Sequence, residues 1–126
     1  MKVLTDTHTL VWALSEPEAL GAKARAGLAE SPFTASVANL WELVLKARKP
    51  GALIADPLPW WEKYVVGARI PALAIRTAHI RALSGMPELH KDPFDRILVA
   101  QAIAEDLVLA TKDATLARYG VAVVWD

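Results

Sequence analysis

Apolar and polar positions fall into blocks along this chain, and the length and period of each block set the elements it predicts. Val3-Leu4-Thr5 near the start and Leu107 to Thr111 near the end are short apolar runs bounded by turn or helix signals, the pattern of strands buried on both faces of a parallel sheet. Between Thr7 and Ser15, Leu10, Val11 and Leu14 recur at helical spacing and stop near Pro17, and Leu20 to Glu30 is a second amphipathic stretch closed by Ser31-Pro32. Phe33-Thr34-Ala35 predicts a short strand running into Ser36. That serine is an N-cap for a helix through Leu40, Trp41, Leu43, Val44 and Ala47, with Lys46, Arg48 and Lys49 at its negative end before Pro50-Gly51.

Asp56-Pro57 opens the next helix, which carries Trp60-Trp61. Ile70 to Ile75 predicts a strand that Pro71 shortens or confines to an edge, and Thr77 to Ser84 a helix before the Gly85-Met86-Pro87 loop. Asp92-Pro93 caps a helix over Pro93 to Glu105 whose apolar residues run nearly all the way round, as in a helix held between layers. A helical turn at Ala114 to Arg118 and Gly120 lead to a last strand, Val121 to Val124. Alternating strands and helices without repeats predict an α/β fold, a three-layer α/β/α sandwich on a mostly parallel central sheet.

Composition narrows the class. A length of 126 residues with 54% hydrophobic content fits one domain over residues 1–126 with a single core. No run approaches the roughly 18 apolar residues of a membrane span, and the start reaches Asp6 too soon for a signal peptide, so a cytoplasmic protein without membrane contact is expected. The lack of cysteine leaves oxygen or histidine to hold any metal. Lys+Arg 14 balances Asp+Glu 14, so a nucleic-acid substrate would need a local basic patch.

The candidate chemistry lies in four acids: Asp6, Glu42, Asp95 and Asp113. Asp6 and Asp113 each follow a buried strand, where the binding edge of an open parallel sheet lies. Each acid also has a purely structural reading. Asp6 and Asp113 serve equally as N-caps, Asp95 falls at the third position of its helix, where an acid suits the dipole, and Glu42 is an i,i+4 partner for Lys46. Capping leaves unexplained why Glu42 is flanked by Trp41 and Leu43 and why Asp95 starts an otherwise buried helix. Carboxylates brought together would raise one another's pKa values unless a hard divalent cation took their charge, which points to metal-assisted chemistry on phosphate.

Other phosphate chemistries lack their spacing. No Gly-x-Gly-x-x-Gly or Gly-x-x-x-x-Gly-Lys-Ser/Thr occurs, and His8 stands where a haloacid dehalogenase-type phosphatase carries its second aspartate. His8, His79 and His90 show no i,i+4 ligand spacing and read as surface or structural residues. Trp12 and Trp41 read as core, and one ring of Trp60-Trp61 as exposed for a protein partner.

Taken together, Leu4-Thr5-Asp6-Thr7-His8, Asn39-Leu40-Trp41-Glu42, Asp92-Pro93-Phe94-Asp95-Arg96 with Leu98-Val99-Ala100-Gln101-Ala102, and Leu109-Ala110-Thr111-Lys112-Asp113 resemble the PIN domain. Within it, the likeness is to the toxins of bacterial and archaeal VapBC toxin–antitoxin pairs. The resemblance implies a Mg²⁺- or Mn²⁺-dependent endoribonuclease that acts on single-stranded RNA, is commonly a homodimer, and is blocked by a small antitoxin protein. It carries the metal site onto Asp6 and Asp95 as direct ligands, with Glu42 and Asp113 acting through water or orienting the attacking water. Thr111 then supports the ligands as a donor, Arg96, Lys112 and Lys91 are candidates for holding phosphate, and Asp92 is a cap. Two rival readings stay open: a non-catalytic PIN-like module that binds RNA or protein, and a Mg²⁺-dependent phosphate-transfer receiver.

Overall fold

The computed structural model describes residues 2–126. Its order is β1 (Val3–Thr5), α1 (Thr7–Ser15), α2 (Ala22–Glu30), β2 (Phe33–Ser36), α3 (Val37–Lys46), α4 (Pro57–Trp61), β3 (Ala72–Leu73), α5 (Thr77–Ser84), α6 (Pro93–Glu105), β4 (Val108–Ala110) and β5 (Val123–Val124). Single 3₁₀ segments occupy Pro17–Ala19 and Ala114–Tyr119, and a π turn at Glu62–Val66 extends α4. The sheet runs β3-β2-β1-β4-β5 with every pairing parallel, Leu4 lying between Thr34 of β2 and Leu109 of β4. From β1 the chain winds outward through β2 to β3, then crosses back to place β4 on the other side of β1. That reversal opens a crevice at the carboxyl ends of β1 and β4, where ligands of such sheets bind.

Helices cover both faces, as expected. On one face Leu4 and Leu109 pack with Ile97, Leu98 and Ala100 of α6; on the other, Ala35 packs with Leu10 of α1, Trp61 and Val65. The all-round apolar character of α6 thus serves burial, with Ile97 to Ala102 enclosed. Asp92 caps its start through bonds from the Phe94 and Asp95 N–H groups, and Asp106 at φ 55° ends it in a left-handed turn.

The strands are shorter than their apolar runs. The expected strand over 70–75 keeps only Ala72–Leu73 and that over 121–124 only Val123–Val124, because both lie at sheet edges, and β3 follows Pro71, which has no N–H to give a ladder. α2 begins at Ala22 rather than Leu20 because Leu20 and Gly21 are extended. At Gly21 a Cβ would strike the Trp125 carbonyl, which also accepts the Ala24 N–H at 2.9 Å, so the end of the chain lies against α2. Trp41, read as core, is instead 53% exposed, while Trp61 is buried and Trp60 half-buried. No helix among the described residues is long and apolar enough to cross a membrane.

Candidate metal centre

Asp6 is the first residue past β1 and caps α1: its Oδ1 accepts the Thr9 N–H at 2.9 Å, and its own N–H donates to Ala110 O of β4 at 3.1 Å. Asp113 follows β4 and caps the Ala114–Tyr119 turn through Oδ1, which takes the Thr115 N–H at 3.0 Å and the Thr115 hydroxyl. Both capping readings are therefore correct. They do not exclude a site, because each cap uses one carboxylate oxygen while Asp6 and Asp113 line the same cleft of about 390 Å³. Glu42 and Asp95 line it too, with Asp92, Lys46 and Lys112. All four sequence-predicted acids are thus brought together at the β1/β4 reversal.

Glu42 is only 7% exposed on α3 and is held by a wired set of bonds. Its Oε1 accepts the Thr7 hydroxyl at 2.5 Å, and Oε2 accepts Lys46 Nζ at 2.6 Å. Thr7 in turn accepts from Asn39 Nδ2 at 3.1 Å, while Asn39 Oδ1 takes the Ser36 N–H at 2.8 Å and closes a capping box on α3. The Ser36 hydroxyl donates to Gln101 Oε1 of α6 at 2.6 Å. Polar residues buried in this way are satisfied by one another, and they fix the rotamer of the acid.

The other wing gathers around His90. Its Nδ1 accepts the Asp92 N–H at 3.2 Å, which leaves the proton on Nε2. Nε2 donates to Asp113 Oδ2 at 3.1 Å and stands 3.6 Å from Asp95 Oδ2. Single ligand atoms of His90, Asp95 and Asp113 lie within 4.8 Å of one another. Sequence reasoning placed His90 among the structural histidines; the only available signal was its position two residues before the cap of α6. Thr111 is buried just past β4, where its hydroxyl accepts the Asp113 N–H at 3.1 Å; burial raises the Asp6 pKa, and Thr111 and Thr9 only partly oppose that rise. Arg96 does not line the cleft. Its guanidinium donates to Pro87 O and the Tyr119 hydroxyl, and it faces a neighbouring hollow with Glu88, His90 and Lys91.

The electrostatics expose a shortage of positive charge. Burial raises the Asp6 pKa above the usual carboxylate value despite the bonds that oppose the shift. Asp95 is pushed up to about 7, first by burial and then by Asp92 and Asp6, with Glu42 adding and His90 subtracting. Asp113 goes down, because Thr115 hydrogen-bonds its charged form. Lys46 goes up through its bond to Glu42. A cleft of carboxylate oxygens in which Asp6 and Asp95 resist ionisation, and in which Lys46 is already paired to Glu42, is a donor set suited to a hard divalent cation.

Residues 3–122 match the PIN domain model. The chain belongs to the PIN domain family. Three solved structures show the same fold: the Rickettsia felis VapBC2 complex bound to a DNA fragment from its promoter (TM-score 0.70, 16% identity, 100% of each chain covered), DNA-bound VapBC from Salmonella typhimurium (0.67, 22%, 98% of this chain and 97% of that one), and FitAcB from Neisseria gonorrhoeae (0.64, 18%, 96% and 95%). No curated protein matches the sequence. In this PIN domain the cleft sits where the fold's two central strands release their acids, and the match removes the receiver-domain reading from contention.

Proposed function

We propose that this PIN domain is a metal-dependent endoribonuclease, the growth-inhibiting toxin of a toxin–antitoxin pair, acting on RNA in the cytoplasm. The observation that carries this reading is the convergence of Asp6, Glu42, Asp95 and Asp113 on one cleft whose negative charge is unbalanced. Asp6 and Asp95 would hold Mg²⁺ or Mn²⁺ directly, with Glu42 and Asp113 taking its water ligands. When bound, such an ion polarises a phosphoryl oxygen and lowers the pKa of water. The chain's own groups do the rest. Thr7 and Asn39 keep Glu42 aimed into the cleft, His90 holds Asp113 in place, and Lys46 and Lys112 offer positive charge to the phosphate backbone.

A protein partner would fit the exposed side of α3 that adjoins the cleft. Val37, Trp41, Val44 and Leu45 form an exposed apolar strip, and Trp41 meets Phe94, next to Asp95, edge to face at 4.8 Å. A small antitoxin or a second copy of the chain would cover this strip, the two associations expected of such a toxin.

The test is cleavage of single-stranded RNA by the purified protein free of any partner. Chelator should stop it, and Mg²⁺ or Mn²⁺ should restore it. Undiminished cleavage in excess chelator would refute the metal mechanism, and RNA binding without cleavage under every divalent ion would leave the non-catalytic module as the correct reading.

A further inference from the structure

Beside the acid cleft, between the last turn of α3 and the loop over 50–53, lies a slot of about 160 Å³ walled by Leu43, Pro50, Ala52 and Leu53. It shares Thr7, His8, Glu42 and Lys46 with the cleft, so whatever enters it is an immediate neighbour of whatever sits among the acids. The loop turns back through the Ala52 N–H bond to Lys49 O at 3.2 Å, with Gly51 at φ 78° allowing the reversal. Leu53 is left 37% exposed, facing the hollow it lines.

The mouth carries positive charge. Lys46, Arg48 and Lys49 put three cations into four residues, the densest such run in a chain of zero net charge, and Lys46 and Lys49 border the slot. This is the local basic patch that a nucleic-acid substrate needs. His8 stands where slot and cleft meet, backed by Trp12 at 5.4 Å, which rests on Trp125 at 5.9 Å. Apolar walls, an aromatic edge and flanking cations match a flat ring whose two neighbours are anions.

We propose that this slot receives the base of the nucleotide adjoining the scissile phosphate of a single-stranded RNA, while Lys49 meets the next phosphate along the strand. The inference rests on the nuclease reading above and adds a base-binding subsite to it. A base can leave its neighbours for such a slot only where the strand is unpaired, so the subsite selects single-stranded regions.

Two measurements test it. The first uses wild-type protein and a single-stranded oligonucleotide with one mapped cleavage site, made abasic at each flanking position in turn. Removal of one particular base should lower kcat/KM at least about tenfold and removal of the others much less. Ala52→Phe, which fills the slot, should lower kcat/KM for the intact RNA to a similar degree, keep the wild-type melting temperature and metal affinity, and make the abasic substitution neutral. The second reads binding alone: in chelator, an oligonucleotide with 2-aminopurine at each position in turn should change its fluorescence on adding wild type and not on adding Ala52→Phe. Cleavage insensitive to every abasic substitution overturns the subsite while leaving the nuclease reading intact. A wild type that cleaves nothing refutes that reading, and the fluorescence then still decides the slot. No 2-aminopurine response from wild type, or an Ala52→Phe variant that cleaves normally but escapes a protein inhibitor, assigns the slot elsewhere and overturns the proposal.

Discussion

The two wings of the acid cleft solve the same electrostatic problem in opposite ways. Glu42 is buried yet compensated: Thr7 donates to one oxygen, Lys46 to the other, and the Asn39–Ser36–Gln101 bonds anchor that wing to α6. Asp95 is less buried and short of positive charge, with Asp92, Asp6 and Glu42 all adding negative potential and His90 alone opposing them. Burial alone therefore does not decide which acid lacks a counter-charge. The partners do, and the wing without them is where a cation gains most.

Stability should separate the wings by sign. The Asp95 pKa lies near 7 in the folded chain and near 3.9 unfolded, so the metal-free protein loses stability as pH rises from about 4 to about 7 and levels off above. Asp95→Asn should flatten that slope and stabilise the metal-free protein at pH 8 by about 1–3 kcal/mol, less than the full shift would give because solvent screens a partly exposed carboxylate and the helix dipole loses an acid, as read by chemical denaturation in chelator. Loss of stability on this substitution would contradict the charge shortage. Thr7→Val, nearly isosteric, removes a hydrogen bond to a buried charged acceptor and should destabilise by about 1.5–3 kcal/mol. If it stabilised instead, Glu42 would belong with Asp95. The smallest effect is at His90. Replacing it with alanine frees Asp113 from its orienting bond and should weaken Mn²⁺ binding about tenfold by calorimetry, with the fold intact.

Much of this was legible in the sequence because local chemistry and tertiary structure agree. The limits of α1, α5 and α6 follow from Asp6, Pro93 and the helical periodicity, and the four acids fall together because two of them end the central strands. What stayed hidden depends on contacts distant in sequence. The lengths of β3 and β5 are set by edge pairing, and the exposure of Trp41 reflects a helix with one face turned to solvent despite its apolar run. His90 reads as a loop residue until Asp113, 23 positions on, is folded against it. The Glu42–Lys46 pair was legible as spacing, but its burial, and so its weight, was not.

The central claim is that Asp6 and Asp113 serve the proposed metal centre as well as capping, Asp6 as a direct ligand and Asp113 through the ion's water, and asparagine separates the two roles. It caps a helix about as well as aspartate but lacks the charge a hard cation requires. Asp6→Asn and Asp113→Asn should each melt at or slightly above the wild-type temperature in chelator. Each should cleave single-stranded RNA at least about a hundredfold more slowly in saturating Mn²⁺, a loss of roughly 2.7 kcal/mol of transition-state stabilisation. Folded asparagine variants that cleave at the wild-type rate would show that the two acids are caps alone and that the metal centre lies elsewhere.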